Sequence, residues 1–232
     1  MQPDSVSLSV VIMAYNEEKN LPALLEALCT YLEGHGRVRE WEVVVVDDGS
    51  SDGTAGAVKQ WSRKEPRVRL ERHPANRGMG AAIKTGYLAA RCEYVTQLPA
   101  DFQVPPETFD LFLPHVPEND IVLSVYSDRG EKPTRRFLAS GYRLIARLLL
   151  GQRADYTGTM MFRRVFVDRV EITTDSFVAN LEFPLKVLNQ GATSHLVSFV
   201  PQARLSGESK VANGRRILFV FKELLALRRR GL

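Results

Sequence analysis

Leu8 to Ala14 and Trp41 to Val46 are nearly continuous apolar runs rich in Val and Ile. They show neither the alternation of a half-exposed strand nor the period of a helix. Strands of that kind are buried on both faces, which is the condition of a mainly parallel sheet covered by helices. Between the two runs, Leu21, Leu24, Leu25 and Leu28 recur at helical spacing, in a helix expected to open at Asn16-Glu17-Glu18. The alternation continues. A helix reaches about Trp61, a short strand covers Arg67 to Glu71, a helix runs on from Asn76-Arg77-Gly78-Met79-Gly80 to Ala90, and Tyr94 to Leu98 forms a fourth strand. Strands alternating with helices give β-α-β units and an α/β fold.

The second half is less regular. A helix is expected from Pro105-Pro106-Glu107, where proline is tolerated in the first turn. Asp120 to Val125, Thr159 to Phe162 and Ser194 to Val200 read as strands, and Val178 to Asn189 as a helix. Asp128 to Pro133 reads as a mobile loop, and Ser206 to Gly214 as a polar, flexible one. Leu138, Tyr142, Ile145 and Leu149 mark one helix face; Ile217, Phe221, Leu224 and Leu225 mark another, in a last amphipathic helix. The length of 232 residues suits one domain, expected over 1–232, and no linker or repeat divides it.

Composition excludes several classes. A hydrophobic share of 44% with 25% charged residues argues against global disorder. Cys29 and Cys92 cannot staple a chain of this size, and a reducing compartment is the simple expectation. No apolar run is long enough to span a bilayer, and Met1-Gln2-Pro3-Asp4 opens no signal peptide; a cytoplasmic protein is expected. The net charge of +4 permits anionic partners without requiring them, and nucleic acid is not among those expected. Lys210 to Arg230 carries seven basic residues and one acid.

In open α/β sheets, ligands sit beyond the carboxyl ends of the strands. Three acidic groups fall there: Glu17 after the first strand, Asp47 and Asp48 after the second, and Asp101 after the fourth. One such group alone is better explained as a helix or turn cap. Three on one rim point to a nucleotide and metal site. Gly78 and Gly80 lack the full dinucleotide fingerprint, so a nicotinamide site is rejected. His73, His115 and His195 show no metal-ligand spacing and read as structural; the two cysteines read as packing.

Met13-Ala14-Tyr15-Asn16-Glu17, Val46-Asp47-Asp48-Gly49-Ser50-Ser51-Asp52-Gly53-Thr54 and Asn76-Arg77-Gly78-Met79-Gly80-Ala81-Ala82 closely resemble successive motifs of the family-2 glycosyltransferases. The order Asp101-Phe102-Gln103-Val104-Pro105-Pro106-Glu107, Asp155-Tyr156-Thr157-Gly158, Leu181-Glu182-Phe183 and Arg204-Leu205-Ser206-Gly207-Glu208-Ser209-Lys210 is similar to the polyprenyl-phosphate branch, typified by dolichol-phosphate mannose synthase. The resemblance implies a GT-A fold in a single domain. A Rossmann-like nucleotide-sugar-binding half would span about 8–125, and an acceptor-binding half with the C-terminal helix about 126–232.

The resemblance also implies roles. Ala14, Tyr15, Glu17, Val46 and Asp48 would surround the base and ribose. Ala100 and Asp101 would lie at the diphosphate, where Asp101 and Gln103 would hold Mg2+ or Mn2+, ions suited to hard oxygen ligands. Arg204 and Lys210 would bind phosphates, on a loop that closes over the site. Glu182 would face the acceptor as a base or positioning group, although a carboxylate on a helix is solvent-facing by default. Asp101, Glu182, Arg204 and Lys210 are thus the expected catalytic set.

The implied reaction is an inverting transfer from a nucleotide diphosphate sugar to a polyprenyl phosphate. Two other readings stand beside it: a soluble hydroxyl or amine acceptor with Glu182 as base, and a nucleotide-sugar-binding protein with little catalysis. Three positions depart from the family pattern. Pro99 replaces the first aspartate of Asp-x-Asp, Tyr126 stands where the branch has an arginine, with Arg129, Arg135 and Arg136 nearby, and Met13 replaces a common proline. A lipid acceptor would bring the chain peripherally to a membrane, through the amphipathic helices at 138–150 and 215–230 and Arg228, Arg229 and Arg230.

Overall fold

The structure is a computed structural model that describes residues 5–127, 158–202 and 214–229, with side chains from Lys222 onward in the last segment. Among these residues seven strands form one sheet in the order β3-β2-β1-β4-β6-β5-β7. The strands are β1 (Val6–Ala14), β2 (Val38–Asp47), β3 (Val68–Arg72), β4 (Tyr94–Pro99), β5 (Ile121–Tyr126), β6 (Met160–Arg163) and β7 (Ser194–Phe199). The pairs from β3 through β2 and β1 to β4 are parallel, as is β5 with β7. Only β6 runs the other way, between β4 and β5.

The helices are α1 (Leu21–Gly34), α2 (Thr54–Lys64), α3 (Met79–Ala89), α4 (Val165–Arg169), α5 (Ala179–Asn189) and α6 (Gly214–Arg229). Pro106–Leu111 forms a 3-10 helix. Both faces of the sheet are covered. Leu8, Val10, Ile12, Val43 and Val45 pack with Leu21, Leu24, Leu25, Leu28 and Phe109 on one side. Val11, Val44, Val46 and Val95 pack with Ile83, Tyr87 and Phe183 on the other. Burial on both faces is why the β1 and β2 sequences carry no alternation.

The structure shifts several boundaries. Helix α1 starts at Leu21 rather than near Asn16. The backbone N–H groups of Asn16, Glu17 and Glu18 donate instead to Ser50, Thr54 and Asp52, and Asn16 turns the chain with φ of 56°. The helix expected after Pro105 is a 3-10 helix, closed by three-residue bonds such as Phe112 N–H to the Phe109 carbonyl. The short α4 went unforeseen. The loop at 128–133, the helix at 138–150, the motif at 155–157 and the loop at 206–213 lie outside the described residues, as do Arg129, Arg135, Arg136, Arg204, Lys210 and Arg230.

Candidate active site

The parallel strands bring the expected residues to one rim. Ala14 is in register with Asp47, and Met13 with Pro99. Asp48 N–H donates to the Ala14 carbonyl at 2.9 Å, and Ala100 N–H to the Met13 carbonyl at 3.3 Å. The ends of β1, β2 and β4 are thereby stitched together, so Ala14, Val46, Asp48, Ala100 and Asp101 are neighbours. The loops after β1 and β2 interlock further. Ser51 N–H donates to Asn16 Oδ1 at 2.9 Å, and Gly53 N–H to Glu18 Oε2 at 2.7 Å. Glu17 accepts from Asn20 Nδ2 at 2.6 Å, and Tyr15 is exposed beside it.

Asp48 is 4% exposed. Its Oδ1 accepts from Arg77 N–H at 2.9 Å and lies 2.7 Å from His73 Nδ1; its Oδ2 accepts from Gly78 N–H at 2.9 Å. Among the described residues three of about four acceptor positions are therefore taken, which leaves one on Oδ2. His73 Nε2 lies 2.9 Å from Thr85 Oγ1, so the imidazole ties Asp48 to α3. His73, read from the sequence as structural, stands against the central carboxylate of the rim. Asp47, fully buried, accepts from Ser50 N–H at 2.9 Å on Oδ1. Arg72 Nε stands 3.0 Å from its Oδ2, an ion pair whose angle falls short of a hydrogen bond.

Asp101 is 6% exposed. Its Oδ1 accepts from Gln103 N–H at 3.1 Å, across a turn in which Phe102 has φ of 60°. The Gln103 carbonyl accepts from Gln202 N–H at 2.9 Å. This bond moors the chain two residues before Arg204 onto the Asp101–Gln103 segment. Among the described residues no group of three His, Cys, Asp or Glu side chains is arranged to hold a metal.

Glu182 is not the solvent-facing helix carboxylate its position suggests. It is fully buried in the first turn of α5. Its Oε1 accepts from Thr173 N–H at 2.8 Å, Thr173 Oγ1 at 2.6 Å and Lys186 Nζ at 2.7 Å. Its Oε2 accepts from Thr174 N–H at 2.9 Å and Thr174 Oγ1 at 2.8 Å. Burial alone would raise its pKa, but the Lys186 ammonium and these donors outweigh that and bring it down to about 2.

The segment that Glu182 clamps buttresses the rim. Gly80 N–H donates to the Asp175 carbonyl at 2.9 Å. A Cβ on Gly80 would meet the Thr174 carbonyl oxygen at 2.5 Å, and one on Gly78, whose φ is 95°, the Asp175 carbonyl oxygen at 2.5 Å. Only glycine permits this approach. Glu182 thus holds residues 173–174, residues 174–175 hold the start of α3, and the start of α3 holds Asp48.

Tyr126 packs edge-on against Phe199, ring centroids 5.3 Å apart, at the end of β5. His115 and His195 stack with centroids 3.8 Å apart. Cys92 is buried and Cys29 half-buried, with burial pushing the Cys29 thiol up to about 11. In α6, Leu224 and Leu227 are buried while Arg228 and Arg229 are exposed, so this part of the apolar face packs on the protein. No helix among the described residues is long and apolar enough to cross a membrane.

A dolichyl-phosphate beta-glucosyltransferase of Trichomonas vaginalis is 34% identical over 176 residues, 70% of this chain and 54% of that protein. A dolichol-phosphate mannosyltransferase of Pyrococcus furiosus is 27% identical over 234 residues, 96% of this chain and 64% of that protein. The chain thus spans about half the length of the first and under two thirds of the second. Glucosyl-3-phosphoglycerate synthase from Mycobacterium tuberculosis, solved with Mn2+, uridine diphosphate and phosphoglyceric acid, superposes with a TM-score of 0.71 at 16% identity, covering 96% of this chain and 77% of that one. That likeness is one of fold and agrees with the expected GT-A architecture. Residues 9–170 match Glycosyl transferase family 2, and the chain belongs to that family.

Proposed function

We propose that this chain moves a sugar from a nucleoside diphosphate sugar to the phosphate of a polyprenyl phosphate, with inversion at the anomeric carbon. The observation that carries this reading is the state of Glu182. A hydroxyl or amine acceptor needs a general base, and a carboxyl held near 2 by five donors is a poor one. A phosphate monoester, with its second pKa about 6, is already ionised near neutral pH and attacks without a base. The two named relatives act on dolichyl phosphate, which supports the same acceptor class. Glu182 is then a positioning group rather than a proton acceptor.

In this reading the base and ribose lie over Ala14, Tyr15, Glu17, Val46 and Asp48, with the open position on Asp48 Oδ2 accepting from one of them. The diphosphate lies at Ala100 and Asp101. A divalent ion, Mg2+ or Mn2+, fits there as one bound by a single carboxylate, the Gln103 amide and the diphosphate itself, a pattern usual for magnesium. When bound, the ion neutralises charge on the departing diphosphate. Arg204 and Lys210 share that work, in a segment that follows Gln202, whose N–H donates to the Gln103 carbonyl. The reaction then rests on placing phosphate and anomeric carbon in line. The chain meets the membrane surface from the cytoplasmic side through its basic end, where Arg228 and Arg229 are exposed and each adds about 1 kcal/mol near anionic lipid.

The test is transfer from UDP-glucose or GDP-mannose to a short polyprenyl phosphate, with and without Mg2+, Mn2+ and chelator. The expected result is a metal-dependent lipid-phosphate sugar of inverted configuration. Efficient transfer to a water-soluble hydroxyl compound, with none to the lipid phosphate, would overturn the reading.

A further inference from the structure

We propose that Asn180 is a specificity residue of this site, whose side-chain N–H donates to an oxygen of the transferred sugar. The proposal rests on the glycosyl-transfer reading above and adds to it a contact with the sugar.

A buried chain of hydrogen bonds orients Asn180. The Tyr87 hydroxyl donates to Gln97 Oε1 at 2.9 Å, and Gln97 Nε2 donates to Asn180 Oδ1 at 2.6 Å. Tyr87 and Gln97 are both buried, and burial pushes the Tyr87 pKa far up, so the phenol keeps its proton. The Tyr87 hydroxyl donates to the Gln97 carbonyl, and the Gln97 amide nitrogen faces Asn180. Asn180 therefore turns its oxygen inward and its NH2 outward. Among the described residues that NH2 meets only Met79 Sδ, at 3.6 Å, and a thioether is a weak acceptor. Two N–H groups are thus held in a fixed direction, at a half-buried position, without a good partner.

The direction matters because of what lies on either side. Gln97 is two residues before Pro99 on β4, on the same face of the strand, and Asp101 follows. Met79 follows Gly78, which donates to Asp48. The Asn180 amide stands between the strand end that carries Asp101 and the helix start tied to Asp48. A sugar attached to a diphosphate at Asp101 would extend toward this space. A sugar hydroxyl supplies the acceptor that the thioether does not.

The competing role is purely structural, with Asn180 present only to satisfy Gln97. Asn180→Asp separates the two, because it keeps the oxygen that Gln97 needs and removes the donor. Wild type, N180D and N180A would be compared for UDP or GDP affinity, matching the donor, and for kcat/KM with the donor turned over in the assay above, UDP-glucose or GDP-mannose, and with its monodeoxy analogues. The nucleotide affinity reads any repulsion from the new charge. The expected outcome is a loss of kcat/KM of about tenfold to a hundredfold in both variants, the scale of one donor lost. In wild type one deoxy analogue should show the same loss, and in the variants that analogue should be no worse than the parent donor. Unchanged kcat/KM in N180D, or an equal loss for every analogue, would overturn the proposal while leaving the nucleotide site intact. Failure of wild type to bind UDP or GDP would instead remove the glycosyl-transfer reading, and this proposal with it.

Discussion

Glu42, midway along β2, and Asp48, just past its carboxyl end, are buried carboxylates whose partners differ in kind. Glu42 accepts from Ser9 Oγ, Arg91 N–H and Arg69, at 2.7, 2.7 and 2.8 Å. Arg69 also donates to the Ala89 carbonyl at 2.7 Å. These bonds join β1, β2, β3 and the end of α3, and a guanidinium neutralises the charge. They draw the carboxyl below its usual range, against burial that would raise it. Among the described residues no guanidinium meets Asp48. Two of its donors are backbone N–H groups of Arg77 and Gly78, and the third is His73. One cluster ties framework to framework. The other shapes a loop and keeps an acceptor position open. Burial alone therefore does not say how far a carboxylate is saturated by its own fold; the count and source of its donors do.

The largest effect should come from the rim. Asp101→Ala is expected to lower kcat/KM about a thousandfold, the scale of a lost electrostatic contact to the reacting groups. The thermal midpoint should move by only a few degrees. A wild-type rate with metal present would remove Asp101 from the site.

The comparison itself is tested by a pair of variants. Glu42→Gln leaves Arg69 with only the longer ion pair to Glu71, at 3.6 Å, among the described residues, and should cost roughly 3 kcal/mol of stability, with UDP affinity unchanged. Asp48→Asn turns one acceptor oxygen into a donor and should cost roughly 1–3 kcal/mol in UDP binding, with a loss of stability smaller than that of Glu42→Gln. Chemical denaturation and calorimetric titration on both proteins check this; matching profiles would erase the distinction.

Glu182 lies on the rim side yet should behave like Glu42. Its folded pKa, about 2, lies below the ordinary glutamate value of 4.5. Its stabilisation is therefore complete above about pH 5 and lost as pH falls toward 2. Glu182→Gln should cost about 2–3 kcal/mol at pH 7 and progressively less below pH 4, as read by urea unfolding across that range. A constant difference would mean that the carboxylate charge is not what holds residues 173–174.

The smallest effect is expected from Pro99→Asp, which restores a second carboxylate beside Asp101. Manganese affinity should rise by less than about tenfold, since one further carboxylate joins a set completed by diphosphate. Equal affinities would place position 99 away from the ion.

Much of this was legible in the sequence. The buried strands declare themselves by continuous apolar runs, and the rim follows from which residues end them. The partners of Asp48 were not legible, because His73, Arg77 and Gly78 lie 25–30 residues away and meet it only once β2 and β3 pair. Glu182 misled for a related reason. Helical spacing says which face a residue shares, but not that Thr173 and Thr174 fold back over that face. The place of β6 was hidden too, since four antiparallel residues carry no mark of which strands they separate.

That place has a consequence for how the chain is made. Strand β6 pairs with β4 over Tyr94–Thr96 and with β5 over Ile121–Leu123. Both older strands leave the ribosome first, each with a row of unpaired backbone groups. At roughly 5–20 residues per second, β5 waits on the order of seconds for its partner to be synthesised. During that interval two apolar edges are open to neighbouring nascent chains. A fragment cut anywhere between Tyr126 and Met160 would keep those edges for good. Expression of either piece alone should therefore give aggregates, and the two pieces should regain solubility only when produced together.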